Sequence, residues 1–153
     1  STAGTHIIDV TNPKQPKQIH FIKGKATGSQ IIHRDFKKYK NFLFGVCDEG
    51  QSSLQVMDYS GLPDSIHVVY DSDSILRTTH NIFIDTAQAR LYACLTRNMQ
   101  GFSALRNLDI SEPAKPKLMS KVKQILFICC KYDFKLYICN LKINKNNLLC
   151  MQS

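Results

Sequence analysis

"IDVTNPKQPKQ" (residues 8–18) returns, little changed, as "LDISEPAKPKL" (residues 108–118). Both read Asp, one residue, Ser or Thr, one residue, Pro, two residues, Pro-Lys, and each follows a short apolar run. An Asp side chain can accept hydrogen bonds from backbone N–H groups two residues on, and Ser or Thr does the same more weakly. Pro13 and Pro113 fix φ for a turn and withhold a ladder donor, while Pro16 and Pro116 keep the chain extended. The motif therefore stops one strand and delivers the chain to the next, which is a structural role.

Working outward, Asp9, Asp58 and Asp109 each close an apolar run: "HIID", "LQVMD" and "LRNLD". They are 49 and 51 residues apart. Around Asp58 the turn is written differently, "DYSGLPDS", with Gly61 and Pro63 in the turning positions. A second marker, "HRDF" (33–36) and "HNIF" (80–83), recurs after 47 residues, and an apolar run follows each, "FLFGVC" (42–47) and "RLYACL" (90–95). Two markers in fixed order define a period of about 50 residues, close to the blade length of kelch-type repeats.

Each copy offers four short strand segments, near 30–36, 42–48, 54–58 and 66–70, then near 79–85, 90–96, 104–109 and 117–122. Residues 5–10 and 18–22 supply the last two strands of a preceding copy. No segment has the pattern of an amphipathic helix. Four antiparallel strands per period is the blade of a β-propeller. The expected fold class is all-β, an incomplete β-propeller of about two and a half four-stranded antiparallel blades. The divisions fall at a partial blade 1–28, a blade 29–70 and a blade 71–122.

"IIDVTNPKQPK", "LQVMDYSGLP", "TTHNIFID", "RLYAC" and "LRNLDISEPAKPK", taken in order, resemble the LVIVD-repeat proteins, including those called choice-of-anchor B. The resemblance covers residues 5–120. It implies a β-propeller-like fold and an extracellular or cell-surface setting, and it carries over no catalytic residue. A closed propeller needs about four to eight blades, more than are present.

From residue 123 the vocabulary changes. "KQILFICCKYDFKLYICNLKINKNNLLCMQS" has no Gly, Pro, Ala, Arg, Thr, Val or Glu, and holds four of the six cysteines. Two readings stand: a divergent third copy, in which "LFICCKYDFKLYIC" follows "IFIDTAQARLYAC", or a tail read through from A/T-rich non-coding DNA. Both place strands at 125–130 and 134–140.

Composition bounds the partners. The formal charge is +8, but the lysines are scattered between turns without an Arg-rich helix or an aromatic stacking ladder, so no nucleic-acid partner is expected. No apolar stretch approaches the ~20 residues of a transmembrane helix. Cys47 and Cys94 sit in corresponding second strands, where a buried thiol acts as a small apolar residue. No Cys-x-x-Cys pair signals zinc, and no metal or cofactor is expected. "DSDS" (71–74) could offer carboxylates to calcium, although one Asp-x-Asp in a polar loop reads first as a solvated turn.

The candidate binding residues are His33, Arg34, His80 and Asn81. Imidazoles at corresponding posts of neighbouring blades could converge on a channel, with Asp35 and Asp85 near them in sequence. Alternatively, each ring bonds a neighbouring backbone and locks adjacent blades. The expected function is a non-catalytic cell-surface binding or scaffold module. Its ligand would be a protein or glycan, and its open blade faces would favour self-association. Two alternatives are a metal-assisted hydrolase using channel histidines and a basic module that binds anionic polymers.

Overall fold

The computed structural model describes residues 1–122, so the strands expected at 125–130 and 134–140 lie outside the described residues. The described chain is all-β, ten strands without a helix. They are β1 (Gly4–Asp9), β2 (Lys17–Lys23), β3 (Arg34–Tyr39), β4 (Phe42–Cys47), β5 (Leu54–Asp58), β6 (His67–Ser72), β7 (Asn81–Asp85), β8 (Arg90–Asn98), β9 (Gly101–Asp109) and β10 (Lys117–Val122). Three antiparallel sheets result: β1-β2, then β3-β4-β5-β6, then β7-β8-β9-β10, the last two being meanders in chain order. No helix among the described residues is long and apolar enough to cross a membrane.

The Asp stop signals act at the backbone. Asp9, Asp58 and Asp109 end β1, β5 and β9. Each Oδ1 accepts the N–H two residues on, from Thr11 at 2.8 Å, Ser60 at 2.9 Å and Ser111 at 2.9 Å. Pro16 and Pro116 immediately precede β2 and β10. In each sheet the strand after the turn carries one extra residue. Ile19, Val69 and Met119, 50 residues apart, have no partner in the ladders, whose registers shift opposite Ile7/Ile8, Val56/Met57 and Asn107/Leu108. Such β-bulges bend a strand and increase its twist.

The first long strand begins later than its apolar residues suggest. Ile31 is not in β3: its N–H closes a turn onto the Gly28 carbonyl, and its side chain packs with Ala26 and Cys47. β3 then runs on through Lys37 and Lys38 to Tyr39.

Register assigns the faces, since residues directly opposite across a pair share one. In the β3–β6 sheet, Arg34, Phe36, Gly45, Cys47, Gln55 and Met57 form one face. That face looks toward residues 1–26: Gln55 Nε2 donates to the Lys23 carbonyl at 3.1 Å and Arg34 to those of Ser1 and Ala26. The other face carries Asp35, Phe44, Val46 and Val56. With Leu54 it packs against Ile82, Ile84, Leu91, Ala93 and Leu108 of the next sheet, forming the main core. The strands β3 and β7 run side by side in the same sense, because His33 meets His80 and Asp35 meets Ile82.

These faces correct the expected correspondence between copies. Markers 47 residues apart turn opposite ways: Phe36 looks back toward residues 1–26, whereas Phe83 points away from the core and is 53% exposed. Cys47 and Cys94 diverge likewise, although both lie on second strands. The posts that coincide are 46 apart on the first strand (Phe36 with Ile82) and 48 apart on the second (Gly45 with Ala93). On the third strand they are 51 apart (Gln55 with Arg106, Met57 with Leu108). Side chains alternate with period two, so a slip of one residue reverses every direction.

Candidate functional site

That slip brings the histidines together. His33 immediately precedes β3 and reaches toward the second sheet, while His80 immediately precedes β7 and reaches back. Their rings stack with centroids 4.5 Å apart and planes 12° from parallel. Had the offset matched the 46-residue spacing of the first strands, both rings would have pointed the same way around the sheets.

Hydrogen bonds fix the tautomers. His33 Nε2 lies 2.7 Å from the His80 carbonyl oxygen, which can only accept, so this nitrogen carries the proton. His80 Nδ1 lies 2.7 Å from Asp48 Oδ2 and donates to that carboxylate. Glu49 Oε2 accepts the His33 backbone N–H at 3.1 Å. Each ring therefore spends one nitrogen on its support. Among the described residues His33 Nδ1 and His80 Nε2 have no partner and remain to meet a ligand, on half-buried rings whose orientation is already set. The group sits where β3 and β7 begin and β4 ends. A separate open hollow of about 480 Å³ is lined by Lys25, Ala26, Thr27, Gly28, Ile31 and Gly50, and by none of His33, His80, Asp48 or Glu49.

The other two expected residues go elsewhere. Arg34 lies on the opposite face, its Nε 2.9 Å from the Ser1 carbonyl and its Nη2 2.6 Å from that of Ala26, tying the first segment to β3. Asn81 pairs with Cys94 across β7 and β8 and shares the outer face with Phe83. Asp35 joins the sheets: its Oδ2 takes the Ile82 N–H at 2.8 Å and its Oδ1 the Lys37 ammonium at 2.6 Å. Asp85 caps the N–H groups of Ala87 and Gln88 at the far end of the sheet.

Sequence reasoning missed Asp48 and Glu49, which directly follow "FLFGVC" in a loop that returns beside His33. The adjacent acidic pair at a strand end was the available signal. It also missed Arg106, which is 1% exposed and donates to the carbonyls of Ile75 and Gly101. Burial holds its guanidinium pKa below the ordinary arginine value.

The remaining polar candidates are committed to structure. Asp71 accepts from Ser53 Oγ and from Gln55 Nε2, and Asp73 pairs with Lys25 at 3.0 Å. The Lys25 hydrogen bond holds the Asp73 carboxyl below its ordinary value. Burial raises the thiol pKa of both Cys47 and Cys94, the opposite of the shift that activates a thiol. Among the described residues no three His, Cys, Asp or Glu side chains are grouped to hold a metal ion. Compared with known protein families and with curated proteins, the chain matches none.

Proposed function

We propose that this chain is part of a β-propeller of the LVIVD-repeat kind and serves as a non-catalytic cell-surface module for binding or scaffolding. The propeller reading is supported by two four-stranded meanders set side by side through parallel first strands, and by bulges recurring every 50 residues. The cell-surface setting rests on the resemblance of the ordered motifs alone.

The observation that carries the binding role is the His33–His80 stack, in which each ring keeps one nitrogen without a partner among the described residues and is oriented in advance by Asp48 or a backbone carbonyl. Two fixed nitrogens on half-buried rings suit a ligand that presents hydroxyl groups, such as a glycan. Such a site needs neither a nucleophile nor a metal. The geometry does not favour the metal-assisted hydrolase, because among the described residues no three His, Cys, Asp or Glu side chains are grouped to hold a metal and Asp48 is taken up by the His80 Nδ1 proton. Nor does it favour a polymer-binding basic face, because Asp48 and Glu49 sit in the site itself.

The test is binding to a panel of immobilised glycans by the natural chain and by a His33→Ala/His80→Ala variant. The proposal expects one glycan class to be retained by the former and lost by the latter, with the melting transition of both cooperative. Binding that survives the double substitution, or no glycan retained at all, would overturn it.

A further inference from the structure

The β8–β9 hairpin is longer than its counterpart in the preceding sheet, nine residues per strand against six and five. Along this extension the usual burial pattern is inverted. Thr96, Asn98 and Ser103 are buried, while Leu95, Met99 and Phe102 are 39%, 77% and 49% exposed. An exposed leucine alone would mean nothing, but three large apolar side chains on one hairpin above a buried polar layer ask for a cause.

The polar layer makes the hairpin rigid. Thr96 Oγ1 donates to the Ser103 carbonyl at 3.3 Å, and Asn98 Nδ2 to the Ser74 carbonyl at 3.0 Å. Asn98 Oδ1 takes the Gln100 N–H at 2.9 Å across the turn. Gly101, at φ 108°, closes that turn, and the segment at Thr78 bridges to Arg97. The apolar residues are thus held outward on a braced element.

Charge narrows the choice of partner. Between Ser74 and Leu108 the one carboxylate is Asp85, which caps the turn at the far end of the sheet, and Asp73, the carboxylate near Arg77, is paired with Lys25. Arg97 is exposed and stands opposite Phe102 in the ladder, so the two share a face. Arg77 lies against the tip, its Nη1 3.4 Å from Met99 Sδ. Apolar side chains at a tip with arginines around its base match the layering of an anionic lipid surface, acyl chains beneath charged headgroups.

We infer that the β8–β9 hairpin docks on anionic membranes, with Met99 and Phe102 entering the interface and Arg77 and Arg97 meeting the headgroups. This surface is separate from the histidine pair, and neither reading depends on the other.

The experiment is flotation of the full chain with phosphatidylcholine vesicles, with and without phosphatidylserine. The chain is expected to float with the phosphatidylserine vesicles, less so as salt rises. Met99→Ser and Phe102→Ser should each weaken this about tenfold, the factor for withdrawing one large apolar side chain from burial. Arg97→Glu, which leaves the apolar tip intact, should lower binding to the anionic vesicles alone. No flotation with either vesicle, or flotation unchanged in the Met99→Ser/Phe102→Ser variant, would overturn the inference. So would a change of oligomeric state on these substitutions without lipid, which would mark the tip as a protein interface.

Discussion

Asp9, Asp58 and Asp109 show how a single side chain ends a strand. Hydrogen bonds hold all three carboxyls below the ordinary aspartate value: chiefly the Thr11 side chain for Asp9, and the Ser60 and Ser111 backbone N–H groups for Asp58 and Asp109. A lowered folded pKa stabilises the fold above the unfolded value, about 3.9, and this contribution is lost as pH falls through the folded value. Asn at these positions keeps the acceptor oxygen but cannot titrate. The triple Asp→Asn variant should therefore lose less stability than the natural chain between about pH 5 and pH 2 in urea unfolding. A second residue-scale prediction concerns Asp35. Asp35→Ala strips the Ile82 N–H of its partner between the sheets and should cost about 1–3 kcal/mol in the same assay. His80→Asn removes one hydrogen bond to Asp48 and should cost about 1 kcal/mol. The histidines and the Asp turns were legible in the sequence because their chemistry is local. Asp48 and Glu49 were not, nor was the bond from Asp35 to Ile82, because their partners lie 16 to 47 residues away.

At the scale of the strand, alternation decides which residue meets which. The existence of all ten strands could be read from apolar runs and turn residues, including the ends set by Asp and Pro. The faces could not, because markers aligned by letter sit one residue out of geometric step. The coincident posts Phe36/Gly45 and Ile82/Ala93 make this testable. A Cβ added at Gly45 would stand 2.9 Å from the Phe36 ring, whereas Ala93 carries its methyl opposite the smaller Ile82. Gly45→Ala alone should destabilise by about 1–3 kcal/mol through overpacking. Adding Phe36→Ile should recover part of that loss, giving a favourable coupling on the order of 1 kcal/mol in a double-mutant cycle. Strictly additive effects would mean that the ring does not cover Gly45.

Across the described residues, the main core lies between the two four-stranded sheets, and on the opposite face of the second sheet Phe83 is exposed while Tyr92 is buried. Phe83 stacks on Tyr92 at 6.3 Å yet stays half exposed. An apolar patch on a sheet face favours association, so sedimentation should show concentration-dependent self-association that Phe83→Ser reduces. The central claim is that the sheets meet with His33 and His80 face to face, although 47 residues separate them. Nuclear Overhauser contacts between assigned imidazole ring protons measure this directly. Stacked rings with centroids 4.5 Å apart predict cross-peaks between the His33 and His80 rings in the natural chain. Two sharp, fully assigned imidazoles with no cross-peak between them would contradict the packing of the sheets described here.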